Sequence, residues 1–302
     1  MKNINNMEIL INDYVRYLEE IKHLNPKTIK SYIPAIEEMI QYCGFKSSVD
    51  IEESDITILQ QWINQKQKEG LGNQSINRRI ASCKSFYSFL VAKRYISFNA
   101  SKELKALKIE SKGHSSDLNE IKKMRDFLKC QYEQKSNFNN LRNMLICDIL
   151  WSCGLRNFEL RSLNIDSINP ITGEFAVKQK GGNIKSCVLN DSTLELYNKY
   201  LYEREKIDAK DDALFISSYK SRISSKGLEK MINTICDKMG IEHKRVHQFR
   251  HDTCNILIES GVELEKVSKI LGHSSPNITY KIYYSQSTDN KKKIVNENPI
   301  FK

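Results

Sequence analysis

Only 5 prolines and 12 glycines punctuate a chain of 302 residues. Collagen-like, elastic and many-turned all-β designs are thereby excluded. The 8 cysteines form no C-x-x-C pair, so the common zinc and dithiol redox spacings are missing. The opening Met1-Lys2-Asn3-Ile4 has no hydrophobic signal core, and the thiols read as free or buried in a reducing compartment. No run approaches the roughly 18 apolar residues of a membrane span, so membrane and secreted readings drop out. Acidic residues are in the minority, 37 against 47 Lys and Arg, a net charge of +10. What is present is 40% hydrophobic and 28% charged, enough apolar material for a core and too much for a disordered chain. The expectation is a soluble, helix-rich, basic cytoplasmic protein whose leading partner is a polyanion.

The charge is unevenly placed. Residues 1–65 sum to −4, residues 66–112 to +8 and the remainder to +6. Such a switch points to one face of a first domain meeting a polyanion, although a solvated helix surface gives the same pattern. Leu10, Tyr14, Leu18 and Ile21 form one apolar stripe at helical spacing. Asn25-Pro26 stops that helix and caps a second, in which Pro34 predicts a kink or break. Ser54-Asp55 opens a third, closed by Gly70 and Gly72, and residues 73–94 make a fourth. On that fourth helix Arg78, Arg79 and Lys84 stand beside Gln74, Ser75 and Asn77, a mixture suited to reading DNA backbone and groove. Residues 103–116 read as a linker between a DNA-binding domain at 1–102 and a second domain at 117–302.

The second domain begins helical, through about Leu163. Residues 174–178 and 184–189 then read as strands joined by the glycine-bearing hairpin Gln179-Lys180-Gly181-Gly182-Asn183, and Ala213–Ile216 as a third strand. From Lys226 the pattern is helical again. The fold class is therefore mainly α with a small antiparallel sheet.

Four signals in this domain could carry chemistry. Gly154-Leu155-Arg156 puts a guanidinium just past a glycine turn at a helix start, with Glu159 three residues on, a place suited to clamping a phosphate. Lys180 sits at the hairpin tip. His247 and Arg250 share a helix face one turn apart. Leu271-Gly272-His273 precedes a tyrosine cluster at Tyr280, Tyr283 and Tyr284. Each has a plain explanation: a surface ion pair for Arg156, a solvated lysine, a core or capping histidine, a packing tyrosine. His243, His247 and His251 share a stripe that suits zinc, but Gln248 stands where a metalloprotease needs glutamate, and no metal or cofactor is expected. Together, two arginines, a lysine, two histidines and a tyrosine suit phosphoryl transfer on a diester without a metal. Guanidiniums stabilise the nonbridging oxygens, tyrosine attacks, and lysine protonates the leaving 5′-oxygen.

The ordered string Cys153-Gly154-Leu155-Arg156-x-x-Glu159-Leu160, hairpin Lys180-Gly181, His247-x-x-Arg250-His251, Leu271-Gly272-His273-Ser274-Ser275 and Ile282-Tyr283 resembles the tyrosine recombinase (phage integrase) family, of the Xer-like two-domain type. The resemblance implies a four-helix SAM-like core-binding domain followed by a catalytic domain. It implies that Arg156 and Arg250 bind the scissile phosphate, and that Lys180 is the general acid. His247 assists proton transfer, His273 hydrogen-bonds the phosphate, and Tyr283 attacks to leave a 3′-phosphotyrosine. Glu159 is implied to hold the Arg156 turn. The implied partners are double-stranded DNA, a homotetramer on paired sites, and an accessory protein or partner recombinase.

The chain departs from the family pattern in places. The hairpin carries Gln179-Lys180-Gly181 where Gly-Lys-Gly is commoner, which leaves Lys178 and Lys185 as rivals to Lys180. Tyr283 follows His273 by ten residues, with Tyr284 in reserve, and Phe249 replaces a usual leucine. Residues 1–24 already read as the first helix, leaving no room for an additional arm-site domain, and the 19 residues after Tyr283 are expected to dock on a neighbouring subunit. The competing readings are a nicking-closing topoisomerase of the same chemistry, a catalytically silent DNA-binding protein of the same fold, and a basic RNA scaffold.

Overall fold

The computed structural model describes residues 4, 6–109, 118–179 and 182–272. The chain divides into two compact units, Met1–Glu110 and Ser111–Lys302.

The first unit is helical. Helix α1 (Met7–Arg16) continues into a π-helical turn at Tyr17–Ile21; of its expected stripe Leu10, Tyr14 and Leu18 are fully buried, whereas Ile21, past the change to π-helical spacing, is exposed. Helix α2 (Pro26–Cys43) starts as the sequence predicts, with Asn25 Oδ1 accepting from the Lys27 N–H at 2.9 Å. Pro34 neither breaks nor ends it: α2 runs on for two more turns. Ile29, Ala35, Ile36 and Met39 lie buried on either side of the proline. Burying that face outweighs the single backbone hydrogen bond that proline forfeits. The short α3 (Ser48–Glu52) leads into α4 (Ile56–Lys68) and the long α5 (Asn73–Ala92). Tyr14, Trp62, Phe86, Tyr87 and Phe89 fill the centre, with Tyr14 edge-on to Phe86 at 5.2 Å. The first residues of the segment read as linker pack within this unit, since Leu104 is buried and Asn77 brackets Leu107 through both its N–H and its carbonyl.

In the second unit, α6 (Leu118–Gln134) and α7 (Phe138–Cys153) pack with α9 (Asp191–Glu205) and α11 (Val246–Glu259). Helix α7 is apolar nearly all round because it runs through the middle: Leu141, Leu145, Ile146, Ile149 and Leu150 are all buried. Its one buried carboxylate, Asp148, is met by Arg125 at 2.8 and 3.1 Å. The short α8 (Asn157–Arg161) follows, then an antiparallel hairpin of β1 (Glu174–Lys178) and β2 (Ile184–Val188), registered Ala176 to Ser186. Helices α10 (Ser225–Met239) and α12 (Leu264–Leu271) complete the unit.

The expected third strand does not form. Ala213 and Ile216 make only isolated bridges, to Asn164 and Arg222. The whole run Ala213–Ile216 is buried; three of its carbonyls are taken by side chains, and that of Phe215 by the Ile223 N–H. Arg204 donates to Ala213, Tyr200 to Leu214 and Arg142 to Ile216. With its backbone acceptors occupied in this way, the run needs no strand neighbour.

Candidate active site

The turn between α7 and α8 is the foundation. Gly154 caps α7 in the left-handed conformation, φ +57°, its N–H bonded to Leu150 O at 3.0 Å. A Cβ there would lie 2.4 Å from Leu271 Cδ2, so glycine is required both by its dihedral and by the close approach of α12. Arg156 then occupies the N-cap of α8. Glu159 takes its backbone N–H at 2.8 Å and its Nη1 at 2.7 Å. The carboxylate is 1% exposed and the guanidinium 33%, so the acid fixes the arginine from behind and leaves its outer edge available.

Arg250 approaches the same turn from α11. It is 1% exposed and donates Nη1 to Gly154 O at 2.8 Å. Burial, then the neighbouring Arg156, push its pKa down to about 10, with Glu159 opposing; it stays cationic at neutral pH. Two guanidiniums anchored on one glycine turn form a fixed positive site, suited to charge on phosphate oxygens.

His247 stands one turn before Arg250 on α11, with part of its surface exposed. Desolvation, Arg250 and Arg156 lower its pKa, which keeps the ring neutral at physiological pH. His251 lies edge-on to it at 4.9 Å, and burial, then His247 and the Arg250 cation, pull its pKa to about 4. His243 precedes α11 and does not continue that face: its Nε2 sits 2.7 Å from Asp237 Oδ1. Among the described residues no group of three or more His, Cys, Asp or Glu side chains is placed to hold a metal ion.

Two of the three lysines that could donate the proton lie on the described part of the hairpin. Lys178 is exposed on the outer face of β1, opposite Ile184. Lys185 is buried and donates to Cys153 O at 2.5 Å; burial lowers its pKa. Lys180, His273, Tyr283 and Tyr284 lie outside the described residues. Their immediate neighbours do not: Gln179 Nε2 donates to Gly272 O at 3.1 Å. No motif in the sequence marked Gln179 or Gly272 as partners, because the pairing joins positions 93 residues apart.

In the first unit the three cations differ. Arg79 is held by Glu38 at 2.8 Å, and Glu38 also pairs with Lys66 at 2.6 Å. Arg78 is exposed and lines a 520 Å³ groove with Lys27, Thr28, Ser31 and Gln74, between the N-terminal turns of α2 and α5. Lys84 is half-buried further along α5. Lys27 was missed in the sequence because it lies in the acidic first segment, and only the packing of α2 on α5 brings it to Arg78.

Residues 117–290 match the Phage integrase family, and residues 11–94 match the phage integrase N-terminal SAM-like domain. The tyrosine recombinase XerC of Histophilus somni (strain 2336) is 28% identical over 274 residues, covering 90% of this chain and 91% of that protein. Two solved structures share the fold. The Tn1549 transposon integrase in complex with transposon right-end DNA has a TM-score of 0.77 at 15% identity, over 96% of this chain and 99% of that one. The XerH recombinase bound to a palindromic difH substrate has a TM-score of 0.75 at 19% identity, over 95% and 84%. The second unit's paired guanidiniums thus sit in a chain matched along most of its length, and this chain belongs to the phage integrase family, the tyrosine-type site-specific DNA recombinases.

Proposed function

We propose that this chain cleaves and rejoins duplex DNA at specific sites through a 3′-phosphotyrosine on Tyr283. The observation that carries the reading is the pair Arg156 and Arg250, both anchored at the Gly154–Arg156 turn, with Glu159 behind them. The two guanidiniums bind the nonbridging oxygens of the scissile phosphate, and charge growing there in the transition state is met by dipoles and cations already in place. The Tyr283 oxygen attacks phosphorus, the bond to the 5′-oxygen breaks, and Lys180 supplies the proton that makes it a hydroxyl. His247, neutral in the resting site, exchanges the tyrosine proton, and His273 donates a hydrogen bond to the phosphate. Reversal by a 5′-hydroxyl of a second duplex rejoins the strand. The bond energy is kept in the phosphotyrosine, so no nucleotide is consumed. Lys178 faces outward and Lys185 is committed to Cys153 O, which supports Lys180 as the acid.

Duplex DNA is the ligand, gripped in the first unit through Arg78, Lys27 and Lys84. The relatives solved with DNA support this. Work on paired sites calls for four copies of the chain, with or without a partner recombinase, acting in the cytoplasm in integration, excision, resolution or inversion. The test is covalent capture. Wild-type protein is incubated with a pool of nicked duplexes of randomised sequence, and the trapped DNA is cloned. Wild type and Tyr284→Phe are expected to form a denaturation-resistant adduct, and Tyr283→Phe none. An adduct surviving in Tyr283→Phe removes the nucleophile assignment.

A further inference from the structure

The Gly272 carbonyl collects two donors from distant parts of the second unit. Arg156 Nη2 reaches it at 3.3 Å and Gln179 Nε2 at 3.1 Å. Gly272 ends α12 at φ +65° and directly precedes His273; Gln179 ends β1's arm of the hairpin and directly precedes Lys180. The approach is so close that a Cβ at position 272 would lie 2.3 Å from Gln179 Nε2. Glycine is therefore needed there for the amide as well as for the dihedral. Gln179 is also held at its backbone, its N–H on Asn183 O at 2.7 Å and its carbonyl accepting from Gly182 at 3.1 Å. A half-buried amide fixed at both ends has a defined place, unlike a solvated side chain on a hairpin tip.

Resting on the recombinase reading of the site, we propose that Gln179 is a positioning residue for Lys180. Its amide ties the hairpin end to the acceptor that also holds Arg156 and that immediately precedes His273. One oxygen thereby joins the Arg156 guanidinium to the residue directly before Lys180, and belongs to the residue directly before His273. General-acid transfer demands hydrogen-bond reach to the leaving oxygen, so an anchor on the residue directly before the donor bears on that reach. Gln179→Glu keeps the side-chain shape but removes the donor and sets a carboxylate against a carbonyl.

The experiment uses the duplex captured by wild type, remade with oxygen or with sulfur at the 5′-bridging position of the scissile phosphate. A thiolate leaves without a proton, so a misplaced acid no longer matters. Gln179→Glu is expected to slow cleavage of the oxygen duplex by about 10- to 100-fold. On the sulfur duplex it is expected to return to within about threefold of wild type, as Lys180→Ala does. Arg156→Ala should stay slow on both. Wild-type rates for Gln179→Glu on oxygen, or equal slowing on both duplexes, would overturn the positioning role. A wild type that captures no duplex at all overturns the recombinase reading itself, before any variant is compared.

Discussion

The two units each build a cluster of cations around a glutamate, and the clusters end in opposite states. In the first unit Glu38 joins Lys66 and Arg79, and Glu69 adds a second carboxylate at 2.7 Å from Lys66. Two acids meet two bases, the hydrogen bonds from Lys66 and Arg79 lower Glu38's pKa despite partial burial, and the result is a neutral knot tying α2, α4 and α5. In the second unit Glu159 bonds Arg156 and offsets Arg250, yet burial, and then repulsion from Arg156, still lower Arg250's pKa to about 10. Balanced charge serves cohesion. Buried, fixed, surplus charge is a site waiting for an anion. An arginine on a basic helix is thus not by itself a nucleic-acid contact, and Arg79 is better read as a strut than as a reader.

The contrast can be broken most forcefully at Arg250. Arg250→Ala should reduce the rate of DNA cleavage by at least about 10²-fold in a covalent-adduct assay, with Arg250→Lys restoring little because the forked geometry is lost. Arg79→Ala should leave the same rate within about threefold of wild type, since a strut touches no reacting atom. Equal losses at both positions would erase the distinction.

Removing the glutamates probes stability. Glu159→Gln strips the countercharge from two guanidiniums and should cost about 3 kcal/mol in urea unfolding. Glu38→Gln acts on partly exposed partners and should cost about 1 kcal/mol. Inorganic phosphate should raise the Tm of wild type by binding the surplus charge of the second unit, and Arg250→Ala should abolish that shift.

The depressed histidines give the second unit a pH signature. His251 has a folded pKa of about 4, and His247 is also lowered, against about 6.5 unfolded. Between those values the unfolded chain binds more protons, so stability is intact above about pH 6.5 and falls as pH drops toward 4. His251→Gln should flatten that fall by about 1–2 kcal/mol between pH 7 and pH 5, allowing for solvent at the ring edge. A slope unchanged in the variant would show that His251 does not drive it.

The finest test concerns DNA grip. Arg78→Ala should lower the slope of log affinity against log salt by about 1, and Lys27→Ala likewise, whereas Arg79→Ala should leave it unchanged. A lowered slope for Arg79 would mean that Glu38 releases it to the duplex.

Much of this was legible in the chain because the signals are local. The α1 stripe, the Asn25-Pro26 start, the α5 limits and the hairpin each depend on residues within one turn of one another. The conflict at Pro34 and the run Ala213–Ile216 went differently for the reason local rules fail: distant side chains decided them. Burial of α2's face outweighed the proline, and Tyr200, Arg204 and Arg142 took the carbonyls a strand partner would have used.

The sequence by itself determined the chemistry available. It set the order of arginine, lysine, histidine and tyrosine, the glycine before Arg156, and the glutamate three residues after it. These follow from residue type and short spacing, which the backbone converts directly into caps and helix faces. Only the tertiary structure decided which of the +10 charges remain in surplus. Pairing depends on what packing brings opposite each cation: Glu38 reaches Arg79 across 41 residues and Gly154 reaches Arg250 across 96. Electrostatic energy depends on distance and burial, and neither is written in the order of the chain.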